Sequence, residues 1–486
     1  MSPSDLGLGA QEVVFATVVM LLLADAFLPE SRKSWLALLA GVGVVAALAL
    51  AVAAVGTGLG DRGGSQLLFN RTVAVDSFAV FFEIVFLVLA LLVLMLAPAY
   101  LQRRRIQHGE FYILLVAALA GMMLLVSAAS LMTIFIGIEL LSIALYILSA
   151  FLRQEERSQE AGLKYLLVGG FASGFLLYGM ALVYGATGST NLLEIARGLR
   201  GISGEAQLFS VVGIGLLMVG LAFKSSAAPF HAWTPDVYEG APAPVVAFMS
   251  VGTKLAAIAV FLRLFAVSFG APSVSSRWTL LLGAVAAVSM LVGAVGALRQ
   301  QDLKRMLAYS SVAQAGYLLL GAVAANRSGM VGSLYYLAAY ATMTFGAFAV
   351  VTLLAKADAE GSEISALRGL GYRQPALGAM LALFMLALAG VPPTAGFMGK
   401  LFVFVASVQA GYAGLAVVAV VSSAISLYYY LRVVLVVYSP PDGGRRRTQP
   451  PDPLGTAAIL VAGALTLVLG IFPGLLYEFA QRSSLL

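Results

Sequence analysis

The stretch from Leu221 to Pro244 reads LAFKSSAAPFHAWTPDVYEGAPAP, and the rest of the chain is best interpreted from it. It places a lysine, one of the chain's two histidines and four prolines where the surrounding hydropathy indicates a membrane. Pro229 has no N–H and its ring clashes with the carbonyl four residues earlier, so a helix arriving from Leu208 must loosen near Ser225. Lipid cannot satisfy the freed backbone groups. The pattern is therefore typical of a broken helix that lines a hydrated ion path.

Charged residues inside other apolar runs support this interpretation. Lys254, Glu139 and Lys400 lie at a similar depth in three separate apolar stretches. An acid at the centre of a membrane helix costs about 2.5–3.5 kcal/mol on insertion scales, so we expect Glu139 to have a cationic partner. For Lys224 alone an alternative stays open, in which the side chain reaches back to the membrane surface beside a packing kink.

Three acids in the first part of the chain are harder to interpret. Asp25 and Asp76 lie at the ends of apolar runs, where we interpret them as interfacial residues. Glu83 lies deeper, and the sequence assigns it no role.

The composition is that of a polytopic membrane protein. Of the 486 residues 61% are apolar and the mean hydropathy is +0.96, whereas soluble domains are about 45–50% apolar. The net charge of +6 does not indicate nucleic-acid binding, because the basic residues fall mostly in short loops and are not interleaved with aromatic residues. The absence of cysteine excludes disulfides, thiolate zinc sites and cysteine-bound iron–sulfur clusters.

The hydropathy predicts an all-α fold with about fourteen transmembrane helices, since a bilayer core accepts about 20 apolar residues per helix. The predicted spans are 10–28, 35–57, 77–99, 111–129, 131–152, 161–184, 207–232, 242–268, 278–298, 303–324, 330–355, 375–407, 411–438 and 455–480. Loops that follow odd-numbered spans contain 16 Lys and Arg, against 7 in the termini and the other loops. The positive-inside rule then predicts that both termini lie outside and that Arg445–Arg447 lies in the cytoplasm.

Spans 7 and 12 are predicted to be broken helices. Span 12 would be about 50 Å long if it were fully helical, against a bilayer core of about 30 Å. Its segment from Gly390 to Lys400 contains two adjacent prolines and three glycines and ends in a lysine. The combination of a proline break and a lysine therefore occurs twice in the chain.

An offset of 171 residues indicates an internal repeat. It aligns 131–148 with 302–319, matching Tyr146 with Tyr317, and it aligns 163–166 with 334–337. The copies are five helices apart, an odd number, so they must have opposite orientations in the membrane. We therefore expect two inverted repeats, at 111–268 and 269–438, between three N-terminal helices in 1–110 and a cytoplasmic loop with a last helix in 439–486. In this register Glu139 aligns with Ser310, so the second repeat lacks the acid.

The segment from Phe223 to Pro242 resembles the antiporter-like subunits of proton-pumping respiratory complex I, the NADH–quinone oxidoreductase. Within that group it is most similar to the subunit N family, called subunit 2 in mitochondria. The specific part is the hexapeptide VYEGAP at 237–242, because the related L and M subunits and the multi-subunit sodium/proton antiporters usually have a variant without it. The resemblance extends from about Asp76 to Tyr438.

The resemblance implies that six polar residues form a proton path through the membrane, namely Glu139, Lys164, Lys224, His231, Lys254 and Lys400. In this scheme Glu139 approaches or leaves Lys224 and so changes that lysine's hold on a proton. The proton then passes through Lys254 or His231 and water to Lys400. Lys164 lies near the cytoplasmic end of span 6, where a side chain that reaches to the surface is an equally open interpretation.

The resemblance also implies that this chain binds no NADH, flavin, iron–sulfur cluster or metal, although the parent complex uses NADH, flavin, iron–sulfur clusters and quinone. Its neighbours in the membrane arm would be the subunits that resemble M and K. We expect the membrane to be the bacterial plasma membrane rather than a mitochondrial or thylakoid membrane.

Three other functions stay open at this point. A subunit of a sodium/proton antiporter would share the lysines and the broken helices, but Na⁺ prefers carboxylate and carbonyl oxygens and the span interiors offer mainly lysine. A structural spacer of the membrane arm would use its buried charges only to hold helices together. Quinone binding by the chain itself is excluded by no motif and supported by none.

Overall fold

The computed structural model describes residues 3–29, 32–59, 65–356, 361–441, 452–483 and 485. The first half contains helices α1 (Pro3–Phe27), α2 (Trp35–Gly56), α3 (Ser77–Arg104), α4 (Glu110–Val126), α5 (Leu131–Ser149), α6 (Glu156–Thr187), α7 (Leu192–Gly198), α8 (Gly204–Lys224), α9 (Trp233–Gly240) and α10 (Ala243–Arg263). The second half contains α11 (Pro272–Ala297), α12 (Leu303–Ala324), α13 (Arg327–Leu354), α14 (Leu370–Arg373), α15 (Pro375–Ala389), α16 (Ala395–Gln409), α17 (Ala413–Val437), α18 (Pro453–Ile471) and α19 (Pro473–Arg482). A short hairpin pairs β1 (Gln66–Leu68) with β2 (Val73–Val75) in antiparallel fashion.

The helices confirm the prediction of an all-α, multi-pass membrane protein. Within the described residues, twelve helices are long and apolar enough to cross a bilayer, and α4, α15 and α16 are shorter apolar helices. Together they match the fourteen predicted spans when α15 and α16 are taken as the two halves of one broken span. The sequence did not predict the hairpin or α7, which lie in the loops before α3 and after α6.

The core of the molecule is formed by three helices whose side chains are almost all buried, α10, α12 and α13. The helix α10 packs against α3, α4, α8, α12 and α13, so other helices cover it on every side. The peripheral helices α1, α2, α6 and α17 instead expose large apolar side chains, as expected of surfaces that face lipid. The polar residues discussed below are thus enclosed within an apolar shell.

Polar residues at helix starts explain where several helices begin. The side chains of Asp76, Ser130, Asn191 and Asp302 accept hydrogen bonds from the free backbone N–H groups at the starts of α3, α5, α7 and α12. Asp76 lies at the start of α3, at the end of its span as the sequence indicates, but it is not exposed to solvent. It is fully buried, and its carboxylate accepts two hydrogen bonds from Arg263, at 2.8 and 2.9 Å.

Glu83, which the sequence left without a role, is also buried. Its Oε1 accepts a hydrogen bond of 2.6 Å from Gln11 on α1. This contact ties α1 to α3 inside the membrane.

The two predicted breaks lie where the prolines place them. The helix α8 ends at Lys224, and the chain resumes as α9 at Trp233. The helix α15 ends at Ala389, and α16 begins at Ala395. Each break contains a cis peptide bond before a proline, Ala228–Pro229 and Pro392–Pro393.

The C-terminal end differs from the prediction of one span over 455–480. The helix α18 ends at Ile471, because Pro473 cannot continue it, and the shorter α19 follows. The ring of Phe479 on α19 packs 5.2 Å from that of Phe81 on α3. The predicted cytoplasmic run Arg445–Arg447 lies outside the described residues.

Candidate functional site

Lys224 is the last residue of α8 and is only 3% exposed. Its Nζ donates a hydrogen bond of 3.1 Å to the hydroxyl of Tyr146 on α5. The rings of Tyr146 and Tyr165 lie 5.1 and 5.4 Å from the same nitrogen, close enough for cation–π attraction. Lys224 is therefore held at the first break by neutral aromatic groups.

Glu139 lies on the same helix as Tyr146, seven residues or about 10 Å earlier along α5. It is half-buried, and its Oε1 accepts a hydrogen bond of 2.5 Å from Ser173 on α6. Among the described residues Glu139 forms no ion pair with Lys224 within 4 Å, although the two charges still interact electrostatically. Tyr146 is the group on this helix that contacts the lysine directly.

Lys164 is separate from the buried lysines, because its side chain is 42% exposed and belongs to an ionic cluster. Its Nζ lies 2.6 Å from Glu160 and 2.8 Å from Asp236 on α9. Arg305 at the start of α12 lies 2.7 Å from Asp236 and 2.8 Å from Glu239. These side chains line a cavity of about 210 Å³ that opens to the surface.

The charge balance of this cluster determines the state of Asp236. Burial raises the pKa of Asp236, but hydrogen bonds from Lys164 and Arg305 outweigh burial and lower the pKa below its ordinary value. Asp236 is therefore ionised at neutral pH. It serves as an anchor for two cations rather than as a carboxyl that takes up protons.

His231 lies in the first break, between α8 and α9, and is half-buried. Its ring packs 6.3 Å from that of Tyr309 on α12. Among the described residues its buried Nδ1 has no hydrogen-bond partner, and no hydrogen bond joins it to Lys224 or Lys254.

Lys254 is fully buried near the middle of α10. Its Nζ donates a hydrogen bond to the backbone carbonyl of Ser311 on α12 and lies 5.6 Å from the ring of Tyr340 on α13. Ser311 and Tyr340 are in turn joined through their hydroxyl groups at 3.0 Å. Lys254 thus links the first repeat to two helices of the second.

Lys400 is 5% exposed on α16, beside the second break. Its Nζ donates to the carbonyl oxygens of Leu388 at 3.0 Å and Ala389 at 2.9 Å, and to the hydroxyl of Ser423 at 3.0 Å. The two carbonyls are free because α15 ends here, and they form the negative end of its dipole. A side chain at Gly390 would come within 3.0 Å of the Cδ of Lys400, so glycine leaves the space that the lysine occupies.

The tyrosines matched by the 171-residue offset occupy equivalent positions around the two lysines. Tyr146 lies 5.1 Å from the Nζ of Lys224, and Tyr317 lies 5.1 Å from the Nζ of Lys400. This agreement is expected if the two breaks belong to related halves of the molecule. The exact division into 1–110, 111–268, 269–438 and 439–486 stays a prediction.

Several polar residues of the site were missed in the sequence, namely Tyr146, Ser173, Asp236, Arg305 and Ser423. A tyrosine or serine in an apolar span resembles an ordinary core residue, so depth alone does not mark it. The repeat does contain one usable signal, since Tyr146 and Tyr317 are among its few identities.

The chemistry available at this site is proton exchange. In the described part of the chain no group of three or more His, Asp or Glu could hold a metal ion. Lys224, Lys254 and Lys400 are bound to hydroxyl and carbonyl groups, none of which carries a charge. A buried amine without a carboxylate partner can lose its proton at a moderate cost, which a proton carrier requires.

The sequence matches a known family over more than half of its length and relatives over almost its full length. The family described as NADH:quinone oxidoreductase/Mrp antiporter, TM, matches residues 128–426. NADH-quinone oxidoreductase subunit N of Trichlorobacter lovleyi is 43% identical over 473 residues, which cover 97% of this chain and 95% of that protein. The protein of the same name from Chloroflexus aggregans is 40% identical, over 99% of this chain and 97% of its own length.

Solved structures agree with these sequence matches. A chain of respiratory complex I from Thermus thermophilus superposes with a TM-score of 0.82 at 36% identity, covering 98% of this chain and all of that chain. A chain of the Mrp complex from Dietzia sp. superposes with a TM-score of 0.84 at 22% identity, covering 99% of this chain and 96% of that chain. The similarity to the Mrp complex shows a shared fold alone.

Proposed function

The chain belongs to the subunit N family of NADH–quinone oxidoreductase, an antiporter-like membrane subunit of respiratory complex I, and we propose that its buried lysines carry the protons that this enzyme translocates. The observation that carries the proposal is the state of Lys224, Lys254 and Lys400. Each is at most 5% exposed, and each is bound to neutral groups. A structural ion pair would instead place a carboxylate within hydrogen-bond reach.

The order of the groups suggests a path. A proton enters near Lys164, at the hydrated ionic cluster, and reaches Lys224 at the first break. Glu139 controls how tightly Lys224 holds that proton, and Tyr146 on the same helix contacts Lys224. The proton then moves through Lys254, with His231 as a side branch that water can reach, and leaves from Lys400 at the second break.

We propose the finer features of localisation and assembly on the same basis. The positive-inside count supports a bacterial plasma membrane with both termini outside, so that the path from Lys164 to Lys400 runs outward. The family supports neighbours resembling the M and K subunits, and a parent complex in which NADH, flavin, iron–sulfur clusters and quinone carry the electrons. The electron chemistry would then occur in other subunits.

The experiment must distinguish a proton carrier from a non-pumping spacer. A spacer would need its buried charges for assembly, whereas a proton carrier needs them for transport. The antiporter alternative has less support, because full-length relatives at about 40% identity are subunit N proteins and the likeness to the Mrp complex extends to the fold alone.

The test is a double-mutant cycle on Glu139 and Lys224. We expect Glu139→Gln and Lys224→Met each to lose most proton pumping while the complex assembles, because each change removes one member of an interacting pair. The double mutant should be little worse than either single mutant, because residues that act as a unit are not additive. Pumping and quinone reduction are measured in inverted vesicles, and assembly by the co-purification of flavin.

Glu110→Gln and Lys356→Met are matched controls, because both residues are exposed. Wild-type pumping in both single mutants of the cycle would exclude the path, and loss of assembly with normal pumping per assembled complex would favour the spacer. If the two losses simply add in the double mutant, Glu139 and Lys224 do not act as a pair.

A further inference from the structure

The two repeats place different polar groups around their buried lysines, Lys224 in the first and Lys400 in the second. In the first repeat a carboxylate, Glu139, lies on the helix that contacts Lys224. The 171-residue offset replaces Glu139 by Ser310, and Lys400 has only two carbonyls and one hydroxyl around its nitrogen. The same offset pairs Gln314 with Ile143, which is 54% exposed. Gln314 is therefore a polar group that the second repeat has and the first lacks.

Gln314 is 1% exposed, and its amide is fully used. The Nε2 donates to the carbonyl of Leu388 at 3.2 Å and to the hydroxyl of Tyr430 at 3.4 Å. The Oε1 accepts a hydrogen bond from the hydroxyl of Tyr336. Because the Leu388 carbonyl can only accept, the NH₂ group must face it, and the orientation of the amide is determined.

The carbonyl of Leu388 is shared between Gln314 and Lys400. Lys400 donates to it at 3.0 Å, and a carbonyl oxygen has two lone pairs, so both donors can be accommodated. Gln314 thus holds one of the three acceptors on which the Lys400 ammonium depends.

Hydrogen-bonded neighbours also connect Gln314 with Lys254. The hydroxyl of Tyr430, which accepts from Gln314, is also hydrogen-bonded to Ser310. The backbone carbonyl of the next residue, Ser311, accepts the hydrogen bond from Lys254. Buried neighbours in contact therefore connect the two lysines through one face of α12.

We propose that Gln314, supported by Tyr430, is the positioning residue for Lys400 and takes in the second repeat the place that Glu139 has in the first. It carries no proton, because an amide neither gains nor loses one near neutral pH. It holds Lys400 with dipoles instead of a charge, so that this last lysine releases its proton rather than keeping it in an ion pair. The proposal rests on the proposed function of Lys400.

The test uses Gln314→Leu and Gln314→Glu in the assembled complex. We expect Gln314→Leu to slow proton pumping about five- to thirtyfold, the rate equivalent of losing one buried hydrogen bond. Gln314→Glu keeps the shape of the side chain, so it tests the proposal even if the leucine variant assembles poorly. It should slow pumping at least as much, because a carboxylate beside Lys400 would hold the proton there.

Two further variants make the outcome specific. Ser333→Ala removes a buried hydroxyl of α13 that bonds only to the backbone carbonyl of Leu318, and it should pump as wild type. On a Lys400→Met background Gln314→Leu should cause no further loss of residual quinone reduction, whereas a purely structural role would add its own loss.

The outcomes separate this proposal from the proposed function. Wild-type pumping in both Gln314 variants, or additive losses with Lys400→Met, would overturn the role of Gln314 while the path through Lys400 stands. Wild-type pumping in Lys400→Met would instead overturn the path itself.

Discussion

Tyr146 is the residue at which the structure changes the expected chemistry most. The sequence predicts that Glu139 approaches Lys224, and in the structure the hydrogen bond of Lys224 goes to the Tyr146 hydroxyl at 3.1 Å. A phenol can both donate and accept, so it can stabilise either protonation state of the amine. We propose that the Glu139 carboxylate acts on Lys224 across space, without contact.

Tyr146→Phe tests this role, since it removes the hydroxyl and keeps the ring. We expect pumping to fall about tenfold, the rate equivalent of the ~1.5 kcal/mol that a hydrogen bond to a charged group contributes. Tyr178→Phe, on the exposed face of α6, is the matched control and should have no effect. Equal pumping in the two variants would show that the Tyr146 ring alone is sufficient.

At this scale the sequence predicted the charged residues better than their partners. Lys224, Lys254 and Lys400 could be found because a charge deep in an apolar run is costly wherever it lies. Gln314 could not, because its importance arises from helices that meet only after folding, and Tyr146 was marked by the repeat alone. Lys164 was ambiguous in the sequence, and its place beside Asp236 is set by a loop of irregular geometry.

Among the elements, α9 is the one whose position depends most on charge. This short helix follows the first break, and its Asp236 and Glu239 are held by Lys164 from α6 and by Arg305 from α12. The buried Lys304 also donates to the carbonyl of Ala241 just after α9, at 2.7 Å. The ionic cluster therefore fixes the segment that leads into α10 and Lys254.

Arg305→Gln should loosen α9 without unfolding the protein. Both partners are about one-third exposed, so we expect a cost of about 1 kcal/mol, seen as roughly fivefold faster amide hydrogen exchange in α9. Arg157→Gln is the control, because this arginine is 80% exposed and makes one contact of 3.4 Å. Unchanged exchange in Arg305→Gln would mean that packing alone holds α9.

The pH dependence of this cluster follows from Asp236. Its pKa is lowered in the folded protein, so its contribution to stability is complete above the ordinary pKa of an aspartate and is lost as the pH falls through the lowered value. Faster exchange of α9 in the wild type is therefore expected only in strong acid. If amide hydrogen exchange in α9 becomes faster near neutral pH, after correction for the intrinsic rate, the conclusion that Asp236 is ionised there is wrong.

The elements themselves were largely predictable. Hydropathy and two proline clusters located the spans and both breaks, because these features act within a single helix. The hairpin of β1 and β2 was not predictable, since three-residue strands leave no periodic pattern. The end of α18 at Ile471 was missed because the apolar run continues past Pro473 and hides the break.

For the whole molecule the outstanding prediction is its direction in the membrane. Gln154 lies just before α6 and Arg200 lies after α7; both are exposed, and the charge count places the first inside and the second outside. Because the chain has no cysteine, Gln154→Cys and Arg200→Cys each create a single thiol in it. An impermeant thiol reagent added to intact cells should label the Arg200→Cys protein only.

Labelling of Gln154→Cys alone would show that the topology is the reverse of the predicted one. The path from Lys164 to Lys400 would then run inward. If neither thiol is labelled even in lysed cells, other subunits mask both positions. The pair Arg197→Cys and Arg153→Cys, at neighbouring exposed positions, then decides between the two orientations.

The burial of α10 also has a consequence for how the protein is made. Arg263 finds its partner Asp76 on a helix that is already synthesised, but the carbonyl that binds Lys254 belongs to α12, which emerges about fifty residues later. Until then Lys254 costs about 2.5–3.5 kcal/mol in the bilayer. The nascent α10 therefore holds a lysine without its carbonyl partner until α12 has been made and has packed against it.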